Sequence, residues 1–305
     1  MSKAAPAGQI DGRSRGATLD ALAAIALWST LAVLGIKLRH VPPFFLVGSS
    51  LVLGALSGVR GIRLRGTPPA ILLLGVYGLF AYHFCLFMAL RLAPPVESNL
   101  INYLWPLLIV VLSPLIVPGT NLRPRHVVGA LVGFIGAALL VTGGRLGFQR
   151  AAAPGYFLAL AAALIWSTYS LLTKRMGTFP TSTIATFCLL SGLLSLACHL
   201  LFEPRYTPAA AELPYLAWIG LGHMGAAFYL WDRALKAGDP RVIGTFAYFT
   251  PLLSTLFIIL FGEGRLTALS FAAMALIVGG AFAGTWSRSP RASLVQESTS
   301  HNRRA

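Results

Sequence analysis

Apolar residues in this chain come in long runs separated by short polar stretches. Ten runs approach the length needed to cross about 30 Å of hydrocarbon. Their approximate limits are 19–36, 44–59, 69–90, 95–117, 125–144, 153–172, 182–202, 211–235, 240–261 and 266–286, the second being short. The connections are brief and carry Gly, Pro or Arg, which leaves no room for a separate soluble domain. The pattern therefore predicts an all-α membrane protein of ten helices. Residues 1–18 and 287–305 are polar and read as unstructured tails. No small-residue cleavage site follows the first run, so a removed signal peptide is not expected.

Composition agrees. The chain has 305 residues, 56% of them apolar and only 11% charged, and its mean hydropathy is +0.73. Too few charges are present to cover a soluble domain of this size, so the bilayer is the solvent. The formal charge of +15 raises nucleic acid as a partner. Lys and Arg, however, stand singly or in small groups between apolar runs, without a basic face interleaved with aromatics. Nucleic acid is excluded on that ground. With the N-terminus placed in the cytoplasm, 17 of the 24 Lys and Arg fall on the cytoplasmic side, the bias expected of membrane loops. An even number of spans then puts both termini inside. Cys85, Cys188 and Cys198 lie within apolar runs without CxxC spacing and read as core fillers rather than a disulfide or metal site.

The chain repeats itself. "ALAAIALWST" (21–30) is echoed by "ALAAALIWST" (159–168) at an offset of 138. "ALRLAPP" (89–95), "NYLWP" (102–106) and "ALVGFIG" (130–136) are echoed by "ALKAGDP", "AYFTP" and "ALIVGGA" at a common offset of 145. Two halves follow, 19–144 and 153–286, joined by a linker at 145–152. Each holds five spans, and an odd number makes the second half enter the membrane from the opposite side. Inverted repeats of this kind build transporters whose substrate site lies near mid-membrane where the halves meet.

"LWST" in the first span and "IWSTY" in the sixth, set in two five-span halves, resemble the EamA-type drug/metabolite transporter superfamily. "AYHFCLFMALRLAPPVESNLINYLWP" (81–106), with "YFTP" (248–251) in the second half, is similar to the YddG-type aromatic amino acid exporters of bacterial inner membranes. The resemblance covers roughly residues 19–286. It implies export of aromatic and other apolar amino acids from a central cavity. Relatives can carry a carboxylate after the tyrosine of the third span. Here His83 stands there, so no carboxylate-based coupling carries over. The glutamate that the small multidrug branch uses in its first span is also missing, which counts against a pump for cationic drugs.

The residues themselves indicate where a site would lie. Trp105 falls ten residues into the fourth span, about 15 Å deep, far below the headgroup level of aromatic belts. Pro106 has no N–H and clashes with the carbonyl of Asn102, and Pro251 does the same to Ala247. Both are candidate hinges. Asn102, Tyr103 and Trp105 beside the first hinge join Tyr82 and His83 in the third span, Trp166 and Tyr169 in the sixth and Tyr248 in the ninth. Together they are the candidate substrate-binding set. Rings offer stacking and cation–π faces, while phenol, amide and imidazole groups hydrogen-bond the ends of a zwitterion. Any one of these aromatics taken alone is more often a core filler. Their convergence at one depth is what carries the reading. Trp28 is read as packing, His199 and His223 as structural, and Trp231 and Trp286 as belt anchors near span ends.

Nine acids occur, and only Glu97 and Asp232 fall within spans, both near ends; Asp232 can pair with Lys236 one turn on. Without a mid-span carboxylate, gradient-driven uniport by alternating access is favoured over ion coupling. A phosphate-binding GxxxxGK[ST] loop is absent, as is a GxSG serine setting, and phosphorylated sugars lack a mid-span Lys or Arg. Gly220, Gly222 and Gly225 form a GxGxxG inside an apolar span. They read, like Ser50/Gly54/Gly58, Gly129/Gly133 and Gly280/Gly284, as close helix contacts. The expectation is thus a non-enzymatic, monomeric exporter in the bacterial inner membrane, with no cofactor or metal. The alternatives are an exporter of another small amphipathic metabolite or drug, with proton coupling as a variant, and a non-transporting membrane protein such as a lipid scramblase.

Overall fold

A computed structural model describes residues 7–177, 179–261, 265 and 267–285, and every regular element among them is helical. The first half of the chain contains α1 (Ala7–Ser29), α2 (Leu31–Lys37), α3 (Pro43–Leu56), α4 (Pro69–Gly75), α5 (Tyr82–Leu92), α6 (Pro95–Asn102), α7 (Trp105–Ile116) and α8 (Pro124–Thr142). The second contains α9 (Ala153–Met176), α10 (Ile184–Phe202), α11 (Leu213–Trp218), α12 (Ala227–Ala237), α13 (Pro240–Phe246), α14 (Phe249–Leu260) and α15 (Ala268–Thr285). Eight continuous helical stretches are long and apolar enough to cross a membrane; Pro43–Leu56 is a shorter apolar helix.

Proline pairs set several helix starts. In Pro42–Pro43, Pro68–Pro69 and Pro94–Pro95 the first proline is extended, with ψ of 128°, 138° and 135°, and the second opens α3, α4 or α6. A residue before proline is driven out of the helical region, while proline itself fits the first helical turn, where no N–H is needed. Leu73, Leu115, Phe157, Leu200 and Leu260 are 68–76% exposed. Apolar side chains this bare, on helices this apolar, belong against lipid.

Where helices meet each other, small residues do the packing. A Cβ on Gly129 in α8 would stand 2.6 Å from the Gly280 carbonyl and the Gly284 Cα of α15, and one on Gly54 would stand 3.0 Å from Gly220 O and Gly225 N. The four-apart glycine pattern is thus a set of close helix contacts.

Connectors meet at two ends of the bundle. At one end Glu203 accepts from Arg91 (2.6 Å), Glu97 from the Gly147 N–H (3.0 Å), and Glu212 contacts His40 (2.5 Å) and Tyr206 (2.6 Å). At the other end Thr181 and Lys236 donate to Asp232, Lys174 donates to the carbonyls of Leu235 (2.9 Å) and Gly238 (2.6 Å), and Arg233 pairs with Asp20. There too Arg241 reaches the Asn121 carbonyl.

One expectation is corrected here. Residues 1–18 do not read as a free tail throughout, because α1 already begins at Ala7. From Ala7 to Leu19 the chain contains no proline, and extending an existing helix costs far less than nucleating one. The C-terminal tail and Trp286 lie outside the described residues.

Candidate substrate site

Two stretches depart from α geometry. Val76–Ala81, between α4 and α5, and Ile219–Ala226, between α11 and α12, are π-helical. They occupy matching places: the 145-residue offset carries Val76 onto Leu221. A π turn accommodates an extra residue and is frequently found at functional sites. Glycines make these turns permissive to neighbours. The Tyr169 ring lies where a Cβ on Gly78 would stand, and the Phe187 ring does the same at Gly75. Immediately after the two π turns come Tyr82 and His83 on α5, and Phe228 and Trp231 on α12.

These side chains enclose a cluster of four tryptophans. Trp28 on α1 lies 6.4 Å from Trp105 on α7, 5.7 Å from Trp166 on α9 and 5.1 Å from Trp231 on α12, centroid to centroid. Trp105 is 6.4 Å from Trp166 and 5.7 Å from Trp231. Most of these pairs are edge-to-face, the arrangement ring quadrupoles favour, each worth about 0.5–1.5 kcal/mol beyond burial. Tyr82 and Tyr169 flank Trp166 at 5.1 and 5.4 Å. Phe228 closes the far side at 5.6 Å.

Polar atoms border the rings. His83 Nδ1–H donates to the Leu79 carbonyl within the π turn (2.5 Å), and its ring lies 4.9 Å from Tyr82. Asn102 Nδ2 donates to the Tyr82 hydroxyl (3.4 Å), while Asn102 Oδ1 is buried without a partner. Trp231 Nε1 donates to Ser170 (3.1 Å). Below Trp166 and Trp231 a narrow crevice is lined by Tyr169, Thr173, Phe228, Asp232 and Leu235.

The stretches Pro95–Ile116 and Pro240–Leu260 break one turn upstream of Pro106 and Pro251. α6 gives way to α7 at Tyr103–Leu104 before Pro106, and α13 to α14 at Ala247–Tyr248 before Pro251. The first span breaks as well, at Thr30, while the corresponding α9 runs on. Ser29 Oγ donates to the carbonyl of Ile25 (2.7 Å) and is within 3.2 Å of that of Thr250, so the "WST" motif ties α1 to the second break.

Of the candidate residues, Tyr82, His83, Trp105, Trp166 and Tyr169 meet around one centre, with Asn102 attached through Tyr82. Tyr103 is half-buried at the α6–α7 break and makes no ring contact among the described residues. Tyr248 goes elsewhere. Fully buried, it packs on Phe134 (6.4 Å) in a separate core with Val110, Ala130 and Ile277, filling the space left by Gly133. Two residues move the other way. Trp231, expected as a belt anchor, is 1% exposed inside the cluster, and Trp28, expected as packing, is its hub. Depth along a span says how far a residue is from water, not which way it faces. A half-exposed indole lies instead at Trp218 on α11, whose Nε1 donates to Thr30.

A bundle of apolar helices around a buried, mid-helix aromatic and polar centre defines a multi-pass membrane protein built to admit a small molecule. The EamA-like transporter family model matches residues 15–142 and again 153–285. An aromatic amino acid exporter of Ancylobacter novellus, YddG, is 43% identical over 88% of this chain and 96% of its own length. The Escherichia coli protein of the same name is 29% identical over 78% of this chain and 86% of its own. A crystal structure 43% identical in sequence superposes with a TM-score of 0.86, covering 90% of this chain and 96% of the other. The chain belongs to the EamA-like transporter family.

Proposed function

We propose that this transporter exports aromatic and other apolar amino acids, or closely related metabolites, across the bacterial inner membrane, down their gradient and by alternating access. The observation that carries this reading is the tryptophan cluster. Trp28 and Trp105 come from the first half of the chain, Trp166 and Trp231 from the second, and all four meet deep in the bundle. A binding centre divided between two halves opens to opposite sides as the halves rock. Aromatic faces there recognise aromatic side chains. The names of the relatives point the same way.

In this reading the membrane is crossed ten times. Pro43–Leu56 and Leu213–Ala237, the latter interrupted by its π turn, join the eight longer stretches as two inverted repeats of five. The two-ended sorting of the connectors supports the count, since successive helices alternate between the Glu203 end and the Asp232 end. Lys and Arg are richer at the Asp232 end, which makes it cytoplasmic, with both termini on that side. Pro106 and Pro251 act as hinges where the fourth and ninth helices already break. The protein works as a monomer.

Reconstitution into liposomes loaded with labelled phenylalanine or tryptophan tests the reading. Exit should exceed that from empty liposomes and be indifferent to an imposed proton gradient. It should fall at least tenfold in Trp166→Ala, whose ring touches Trp28, Trp105, Tyr82 and Tyr169. Folded protein that releases neither amino acid, or releases lysine equally well, overturns the proposal.

A further inference from the structure

Asp232 is 2% exposed, deep enough that its charge needs full compensation. Its Oδ2 accepts from Thr181 Oγ1 (2.5 Å) and Lys236 Nζ (2.8 Å), and Lys236 itself also donates to the Phe179 carbonyl (2.9 Å). Oδ1 receives nothing. An ionised carboxylate has about four acceptor positions, and here half of the group is left unserved. Thr173 Oγ1 on α9 is likewise buried, with no hydrogen bond of good geometry and only the Tyr169 hydroxyl as a polar neighbour on its own helix. Both residues line the same crevice beneath the tryptophan cluster, whose remaining walls are Trp166, Tyr169, Phe228 and Trp231. In this conformation the crevice is too tight to admit a water molecule. An unserved carboxylate oxygen and a weakly partnered hydroxyl are thus held against aromatic faces.

Acceptors plus aromatic walls describe a receptor for a cation. A primary ammonium has three donors, no acceptor, and is attracted by ring faces. We propose that Asp232 Oδ1 and Thr173 Oγ1 bind the α-ammonium of the transported amino acid at the Asp232 end of the aromatic site. This rests on the amino acid exporter reading and adds to it an orientation: the ammonium points toward Asp232. The substrate carboxylate is repelled from Asp232 and turns toward the Asn102 amide and Tyr82 hydroxyl. The sequence alone presents this carboxylate as one half of an ion pair with Lys236 near a span end, a pair that the structure retains. Lys236 balances part of the charge when the site is empty, so the buried carboxylate is tolerated between transport cycles.

The test is binding to the purified full chain in detergent, read by quenching of tryptophan fluorescence, with three probes. These are phenylalanine, phenethylamine (ammonium without carboxylate) and 3-phenylpropanoate (carboxylate without ammonium). The two amines should bind at least tenfold more tightly than 3-phenylpropanoate. Asp232→Asn should weaken both amines about tenfold to a hundredfold, the range expected for a lost charge-assisted hydrogen bond, and leave 3-phenylpropanoate unchanged or tighter. Thr173→Val, which disturbs no ion pair, should weaken the amines several-fold with an unchanged elution profile, and decides the matter should Asp232→Asn fold poorly. Equal wild-type affinity for phenylalanine and 3-phenylpropanoate overturns the ammonium site while leaving the exporter reading intact. So does wild-type phenethylamine affinity in a folded variant at either position. Silence of all three probes on the wild type overturns both.

Discussion

Glu203 offers a sharp test of how this bundle is held at one end. Its side chain is fully buried between three elements. Both carboxylate oxygens accept from the Phe44 N–H (3.0 and 3.1 Å), Oε2 also accepts from the Phe45 N–H (3.2 Å), and Arg91 and His199 donate at 2.6 and 3.0 Å. The first turn of α3 begins with Pro43 and has no capping side chain of its own, so a carboxylate 159 residues away does the capping. Losing a cap costs about 1–2 kcal/mol. The Arg91 pair adds no more than about 1 kcal/mol because the guanidinium is 37% exposed and screened. The void left by the side chain and the unmatched His199 bring Glu203→Ala to about 3 kcal/mol, at the lower edge of what breaking a buried pair costs. At roughly 2–4 °C per kcal/mol, the apparent melting point in detergent should drop by roughly 6–12 °C. Glu203→Gln keeps one acceptor for the backbone N–H groups and should lose about half as much. Thermal unfolding followed by size-exclusion chromatography reads both. A Glu203→Ala protein within about 2 °C of wild type would refute the claim that this carboxylate caps α3.

Two further predictions follow from particular contacts. Gly78→Ala places a methyl inside the Tyr169 ring, forcing that ring toward Trp166; overpacking of this kind costs about 1–3 kcal/mol, and the altered surroundings should show as a changed tryptophan emission spectrum, an unchanged spectrum counting against the contact. Glu212 is held below its ordinary value near 4.5 by hydrogen bonds from Tyr206 and then His40. Because the folded-state value is the lower one, its stabilisation is present above about pH 4.5 and is lost as pH falls through the depressed value. The melting-point gap between wild type and Glu212→Gln should therefore be open at pH 6 and narrow below pH 4; a gap independent of pH across that range would contradict it.

How much of this was readable from the sequence depends on the kind of question. The positions of the apolar helices were, because a run of apolar residues has to match a hydrocarbon thickness, and apart from α1, which begins at Ala7, the helices start within a few residues of the predicted limits. The breaks at Tyr103–Leu104 and Ala247–Tyr248 followed from Pro106 and Pro251, since a missing N–H acts locally. The meeting of Tyr82, His83, Trp105, Trp166 and Tyr169 followed from depth alone. What depth leaves out is rotation about the helix axis. An extra residue in each π turn shifts everything beyond it by about 100° relative to a plain α-helix, and the turns at Val76–Ala81 and Ile219–Ala226 precede His83, Trp231 and Asp232. Facing therefore had to come from the structure: Trp231 turns from the expected lipid belt into the tryptophan cluster, and Asp232 keeps its expected pair with Lys236 while also lining the crevice beside Trp166 and Trp231. The glycine spacing of "GVYG" (75–78) and "GLGHMG" (220–225) was the available signal. Only the second of these is read in the sequence as close contact, which Gly220 and Gly225 make; glycines in both places also leave room for the wide turns. Tyr248 marks the limit of repeat reasoning. It occupies the place that matches Tyr103, yet Gly133 opens a socket for it in a different core. Equivalent backbone positions in two halves fix where a helix breaks; which side chain then reaches the shared centre is decided by what the neighbouring helix leaves empty.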